Sequence, residues 1–123
     1  MMEATHMAKI LVVDDDTLTR HLLQQSLEQF GHAVQAAANG REALQMAIMD
    51  KPDVMVLDIM MPGINGAEVI REMRGQPGYE DVRIIVVTGS PQPEKIPEVA
   101  QADVLLRKPL PIEDLLAQIQ AFA

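Results

Sequence analysis

The chain contains no cysteine. Disulfide bonds, thiolate metal sites and cysteine nucleophiles are therefore excluded, and a reducing cytoplasm is the compartment that this composition favours. Basic residues are also scarce: 10 Lys and Arg stand against 18 Asp and Glu, a formal net charge of -8. Because such a surface repels phosphates and anionic lipids, we expect no direct binding of nucleic acid. No apolar run approaches the roughly 20 residues that a membrane span requires, so we expect a soluble, cytoplasmic protein without membrane attachment.

The 123 residues are enough for one compact domain. A domain of this size buries roughly two-thirds of the surface that its unfolded chain exposes, and it needs no covalent cross-links to be stable. Residues 1–8 show no apolar periodicity and contain three of the nine methionines. We expect residues 1–8 to form a disordered leader, of a kind that cloning can add, and residues 9–123 to form the domain.

Short apolar runs of the kind found in β-strands alternate with longer apolar stripes at helical spacing. The runs predict five strands, namely Lys9–Val13, 32–36, Val54–Leu57, Arg83–Thr88 and Val104–Arg107. The first, third and fourth runs are continuously apolar, which is typical of strands buried on both faces of a parallel sheet. The alternation predicts a right-handed, doubly wound α/β domain in which these three strands are central.

Apolar stripes predict helices after the first, second, third and fifth strands. The stripes consist of Leu18, Leu22, Leu23, Leu27 and Phe30; of Ala43, Leu44, Ala47 and Ile48; of Ala67, Ile70 and Met73; and of Ile112, Leu115, Leu116, Ile119 and Phe122. The segment after the fourth strand, between Gly89 and Ala102, contains Pro91, Pro93 and Pro97. We therefore expect only one or two helical turns in that segment.

Polar side chains gather where the predicted strands end, which is where ligands of open α/β sheets bind. They are Asp14, Asp15 and Asp16 after the first strand, Asp58 after the third, Thr88 at the end of the fourth and Lys108 after the fifth. Carboxylates about 5 Å apart repel each other by roughly 3 kcal/mol per pair at an effective dielectric constant of about 20. A hard divalent cation relieves that repulsion, and Mg²⁺ needs only one or two direct carboxylates.

The same side chains suit phosphoryl transfer. Lys108 offers a positive charge and Thr88 a hydroxyl donor for the oxygens of a phosphoryl group, and Asp58 can serve as the nucleophile of an aspartyl phosphate. Simpler interpretations stay open. Residues 14–16 can form a helix cap, for which Asp16 is the best candidate. Asp58 can be a turn residue, and Lys108 can be an ordinary surface lysine. The histidines lack ligand spacing and are predicted to be solvated or packing residues: His6, His21 and His32.

Four motifs in order resemble the signatures of one family. They are Ile-Leu-Val-Val-Asp-Asp at 10–15, Asp-Val-Met-Val-Leu-Asp-Ile-Met-Met-Pro-Gly at 53–63 with Asn65-Gly66 after it, Val87-Thr88-Gly89, and Lys108-Pro109. Over about residues 9–122 the chain resembles the receiver domains of two-component response regulators, in particular single-domain receivers of the chemotaxis type. The resemblance implies a flavodoxin-like (βα)5 fold with strand order 2-1-3-4-5.

The resemblance also implies a role for each site residue. Asp58 would be the phosphoacceptor. Asp15 would bind Mg²⁺ directly, with Mn²⁺ able to substitute, and Asp14 would assist through water. The backbone carbonyl of Met60 would be a further metal ligand. The Thr88 hydroxyl would close on the phosphoryl group, and Lys108 would form an ion pair with it. The bond between Lys108 and Pro109 is usually cis in the family.

Function and partners follow from the same resemblance. A sensor histidine kinase or a histidine phosphotransfer protein would donate the phosphoryl group, and the modified domain would switch its interaction with a downstream protein or domain that the sequence does not specify. The domain would catalyse only its own phosphorylation and dephosphorylation, so it would not be an enzyme in the usual sense.

One departure concerns the switch: Leu105 occupies the position where the family usually has an aromatic residue, three positions before Lys108. An alternative is therefore a pseudo-receiver, which uses the same fold as a phosphorylation-independent interaction module. An Mg²⁺-dependent phosphatase with an aspartyl intermediate is less favoured because Leu18 stands where its loop requires a hydroxyl. A nucleotide-binding flavodoxin-like protein is disfavoured because no phosphate-binding loop follows the first strand.

Overall fold

A computed structural model describes residues 8–59, 65–89 and 92–122, apart from the side chain of Glu94. Its parallel five-stranded sheet has the order β2-β1-β3-β4-β5, so the predicted order and central strands are confirmed. The strands are β1 (Lys9–Val13), β2 (Ala33–Ala37), β3 (Val54–Leu57), β4 (Arg83–Thr88) and β5 (Val104–Arg107). Four strands match their predicted bounds, and β2 begins one residue later than predicted because the His32 N–H donates to Leu27 O at the end of the preceding helix.

The described residues form α-helices on both faces of the sheet: α1 (Thr17–Gln29), α2 (Gly40–Met49), α3 (Gly66–Gly75) and α4 (Ile112–Ala121). The first three begin after side chains that accept an N–H from the first turn, namely Asp16, Asn39 and Asn65. Between β4 and β5 lie two short 3₁₀ helices, Pro93–Lys95 and Pro97–Gln101, each with proline at its start. The expected shortening of this segment is confirmed, although its turns are 3₁₀ rather than α.

Alternate strand residues form two apolar cores, one on each face of the sheet. One core joins α2 and α3 to the sheet, and the other joins α1 and α4. The predicted helix α1 is confirmed, but its apolar stripe is only partly buried: Leu27 is buried, whereas Leu18, Leu22 and Phe30 are at least half exposed. Leu18 and Leu22 lie one turn apart on the side of the helix opposite Leu27, so only part of the apolar stripe packs on the sheet. Within the described ranges, no helix combines the length and apolar character required to cross a membrane.

His32 is a buried packing residue, one of the two roles that the sequence leaves open, and its burial makes stability depend on pH. Its side chain is 7% exposed and its Nδ1 accepts the Ala8 N–H at 3.1 Å. Burial lowers the pKa of His32 below the usual 6.5. Because the unfolded chain takes up this proton more readily than the folded one, the contribution to stability is present above about pH 6.5 and is lost as the pH falls towards the lower, folded-state pKa.

We expect His32→Asn to reduce this acid sensitivity. Asparagine can accept the Ala8 N–H through Oδ1 but does not titrate. Urea unfolding at about pH 7.5 and about pH 5.5 measures the effect, and His21→Asn, at an exposed helix position, is the control. An unchanged slope of stability against pH in His32→Asn would contradict the assignment.

Candidate phosphorylation site

The predicted polar residues lie together at the carboxyl edge of the sheet. Asp14 directly follows β1 and Asp58 directly follows β3. The Asp58 N–H donates to Val13 O at 3.0 Å, which continues the ladder between the two strands past the end of β3. Thr88 ends β4, and its carbonyl accepts the Lys108 N–H at 2.9 Å. Parallel pairing of the four strands therefore brings residues from distant parts of the chain to one rim.

Three carboxylates form the centre of this site. Asp14, Asp15 and Asp58 each offer one oxygen, and these three oxygens lie within 4.8 Å of one another. Asp14 and Asp58 are buried, with exposed fractions of 3% and 7%, whereas Asp15 is exposed. Buried anions this close need a compensating positive charge. Their hard oxygen donors fit Mg²⁺, with the exposed side open for water.

Lys108 supplies part of that charge. Its Nζ lies 3.3 Å from Asp14 Oδ2 and 3.4 Å from Asp58 Oδ2. Partial burial acts to lower the pKa of Lys108, but the neighbouring carboxylates of Asp58 and Asp14 outweigh it, and the net pKa is raised above 10.5. The ammonium is therefore retained at neutral pH. The bond between Lys108 and Pro109 is cis, as the resemblance implies.

Other predicted residues take different places. Asp16 is separate from the carboxylate group: its Oδ2 accepts the Thr19 N–H and hydroxyl at 2.8 and 2.6 Å, which makes it the cap of α1 and lowers its pKa. The Thr88 side chain is fully buried. Leu105 is partly buried and packs against the core on the α2 and α3 face. Met60, a predicted metal ligand through its carbonyl, lies outside the described residues.

Two contacts that support the site do not follow from the sequence pattern. Arg20 Nη1 donates to the Asp14 carbonyl oxygen at 2.8 Å, a contact that no motif indicates. Gly66, which the motif comparison includes without a role, is the buried first residue of α3. A Cβ atom at Gly66 would lie 2.7 Å from Asp58 O and 2.6 Å from the Ile59 Cα, so the close approach of α3 to the end of β3 requires glycine.

Comparison with known proteins agrees with this geometry. The family model described as "Response regulator receiver domain" matches residues 10–120. The chain is 44% identical over 115 residues to the response regulator MprA of Mycobacterium tuberculosis (strain H37Rv), covering 92% of this chain and 49% of the relative. It is 43% identical to the response regulator MprA of Mycobacterium leprae over 92% of this chain and 50% of that protein. The chain thus spans about half the length of these curated relatives.

Solved structures agree as well. The chemotaxis protein CheY4 of Vibrio cholerae superposes with a TM-score of 0.87 at 37% identity, over 96% of this chain and 100% of CheY4. The response regulator TrrA of Thermotoga maritima, crystallised in complex with Mg²⁺–BeF, gives a TM-score of 0.87 at 33% identity, over 95% of this chain and 100% of TrrA. Sequence, fold and site together establish that this chain belongs to the receiver-domain family of two-component response regulators.

Proposed function

We propose that the domain accepts a phosphoryl group from a phosphohistidine donor onto Asp58, with Mg²⁺ held beside it. This proposal rests on one observation: the carboxylates of Asp14, Asp15 and Asp58 lie close together, and the Lys108 ammonium contacts those of Asp14 and Asp58. The crystallisation of Thermotoga maritima TrrA with Mg²⁺–BeF supports it, because beryllium fluoride resembles a phosphoryl group in shape and charge.

Each residue of the site has a distinct role in this proposal. An Asp58 carboxylate oxygen attacks phosphorus in line as the bond between phosphorus and the donor imidazole nitrogen breaks, and the imidazole keeps the electron pair. Lys108 moves from pairing with Asp58 to pairing with a phosphoryl oxygen, and the Thr88 hydroxyl donates to another. Asp14, Asp15 and Asp58 would hold Mg²⁺, with the Met60 carbonyl as a further ligand. When bound, Mg²⁺ neutralises charge on the phosphoryl oxygens.

The later fate of the phosphoryl group completes the proposal. Hydrolysis of the acyl phosphate restores Asp58, so the domain catalyses only its own modification and its removal. A sensor histidine kinase or a histidine phosphotransfer protein is the donor, and a downstream protein or domain responds to the change. We further propose that residues 9–123 form the receiver, with Ala8 joined to it by its hydrogen bonds to His32 and Ala33.

The pseudo-receiver is the second candidate, and Leu105 is the observation that favours it. Leucine at the switch position can move by packing but offers no hydroxyl, which reduces the contacts that distinguish two states of the switch. The carboxylates, Thr88 and Lys108 are nevertheless all in place at the sheet edge. This complete set of polar groups favours phosphoacceptance over a phosphorylation-independent role.

The test measures metal binding and labelling in the same protein. We expect acetyl phosphate, or a phosphohistidine donor, to add phosphate to the wild type only when Mg²⁺ is present, and a chelator to abolish the addition. We expect Asp15→Asn to weaken Mg²⁺ binding by at least about ten-fold, since even outer-shell partners of metals contribute that much. Titration of Mg²⁺ followed by NMR measures the affinity, and intact-mass analysis measures the label.

Asp16→Asn is the matched control. It removes one negative charge at the adjacent position, and asparagine caps a helix as well as aspartate does. Equal Mg²⁺ affinity in the wild type and Asp15→Asn would contradict the metal site. A wild type that several donors leave unlabelled in Mg²⁺ would favour the pseudo-receiver.

A further inference from the structure

The acidic loop between β1 and α1 is held by contacts that reach beyond its carboxylates. Asp14 donates its N–H to Ala37 O on β2 at 3.2 Å and accepts the Asp16 N–H on its Oδ1 at 2.9 Å. Its carbonyl oxygen accepts the hydrogen bond from Arg20 Nη1 at 2.8 Å, and Arg20 is half-buried in the first half of α1. Every polar group of the Asp14 backbone is therefore paired to a neighbouring element.

The Arg20 hydrogen bond acts on the peptide unit that joins Asp14 to Asp15. The carbonyl of Asp14 and the N–H of Asp15 share one plane, so holding that carbonyl also fixes where the Asp15 Cα lies. Asp15 is the exposed member of the three carboxylates, and its side chain has the most freedom to lose on binding a ligand. The Arg20 hydrogen bond therefore orders the loop before a ligand binds, which reduces the entropy that binding itself must cost.

We propose that Arg20 is a positioning residue for the acidic site: its guanidinium fixes the peptide between Asp14 and Asp15 so that the Asp15 carboxylate faces the same centre as Asp14 and Asp58. The proposal deepens the proposed function and rests on it, because the centre so formed is the one to which Mg²⁺ is assigned. Arg20 contacts a backbone carbonyl in this structure, and its role is to orient the carboxylates that bind.

Charge and positioning predict opposite results when Arg20 is replaced. Arg20 is a cation close to the acidic loop, with its Nη1 2.8 Å from the Asp14 carbonyl oxygen. If charge alone mattered, removing it would strengthen the binding of a divalent cation. If Arg20 positions the loop, removing its hydrogen bond weakens that binding despite the loss of a repelling charge. The direction of the change therefore separates the two roles.

The experiment compares Mg²⁺ affinity and amide hydrogen exchange in the wild type and in Arg20→Met, which keeps an apolar stem without the donor or the charge. We expect Arg20→Met to weaken Mg²⁺ binding by about ten-fold, the low end of the range for outer-shell partners. In metal-free protein we expect faster exchange of the Asp15 and Asp16 amides. Arg20→Lys keeps the charge and a donor, and we expect it to restore most of the affinity.

Arg41→Met is the control, because it removes an exposed arginine charge from the first turn of α2. Circular dichroism checks the fold of each variant, and Arg20→Gln replaces Arg20→Met if that protein is unfolded. Unchanged or tighter Mg²⁺ binding in a folded Arg20→Met or Arg20→Gln variant overturns the role of Arg20. A wild type that binds no Mg²⁺ overturns the proposed function instead, so the two failures are distinguishable.

Discussion

Asp58→Asn should abolish phosphoryl uptake while leaving the protein folded. An amide is not a nucleophile for phosphorus under these conditions, and asparagine has nearly the same shape as the carboxylate that it replaces. Lys108 keeps its contact with Asp14, 3.3 Å away, so the substitution leaves no lysine charge uncompensated. Intact-mass analysis after incubation with acetyl phosphate and Mg²⁺ should find label on the wild type and none above background on Asp58→Asn.

The chain offers a matched control on the same strand. Asp53 lies just before β3, at the end opposite Asp58, and its Oδ2 accepts the Lys9 N–H at 2.8 Å. Asp53→Asn removes the same charge, keeps an acceptor and should be labelled like the wild type. Label found on Asp58→Asn would show that Asp14 or Asp15 can accept the phosphoryl group, and peptide mapping would identify which. That result would contradict the assignment of Asp58.

The grouping of the candidate site residues could be predicted because a parallel sheet places the carboxyl ends of its strands at one edge. The apolar runs located β1, β3, β4 and β5 at their observed bounds, so the residues that follow them could be assigned to the same rim. Asp14 and Asp58, which are 44 positions apart in the sequence, can therefore be assigned to one site from the sequence alone. What made this possible is that strand periodicity and strand ends are local properties of the sequence.

Contacts between elements could not be predicted in this way. The apolar stripe of α1 did not reveal which of its leucines face the sheet, because Leu18 and Leu22 are spaced as a buried pair yet are exposed. His32 was expected to be either solvated or packed, and in the structure it is buried and accepts the Ala8 N–H, a contact between residues 24 positions apart. Arg20 reaches a carbonyl that precedes its own helix, and this depends on how α1 leaves the loop. Such contacts depend on the angles between elements, which the sequence pattern does not encode.

Gly66 lies where the start of α3 packs against the backbone of Asp58, the proposed phosphoacceptor. Its N–H donates to Ile59 O at 3.1 Å, and the Asn65 side chain caps α3 by accepting the Glu68 N–H. A Cβ atom at Gly66 would approach Asp58 O to 2.7 Å, and this oxygen belongs to the backbone. No side-chain rotation can relieve that contact, so the start of α3 must move away from the end of β3.

Gly66→Ala should therefore destabilise the fold and disturb the site together. Overpacking of this kind costs roughly 1–3 kcal/mol, and the displaced Asp58 carbonyl should lower the rate of labelling as well. Gly75→Ala is the control: it lies at the other end of α3, where an added Cβ would meet nothing within 4 Å, and alanine favours helix over glycine. Urea unfolding and labelling with acetyl phosphate are measured on both variants. Equal stability and equal labelling rates in Gly66→Ala and Gly75→Ala would contradict this prediction. They would show that the close approach of α3 to the Asp58 backbone does not position Asp58.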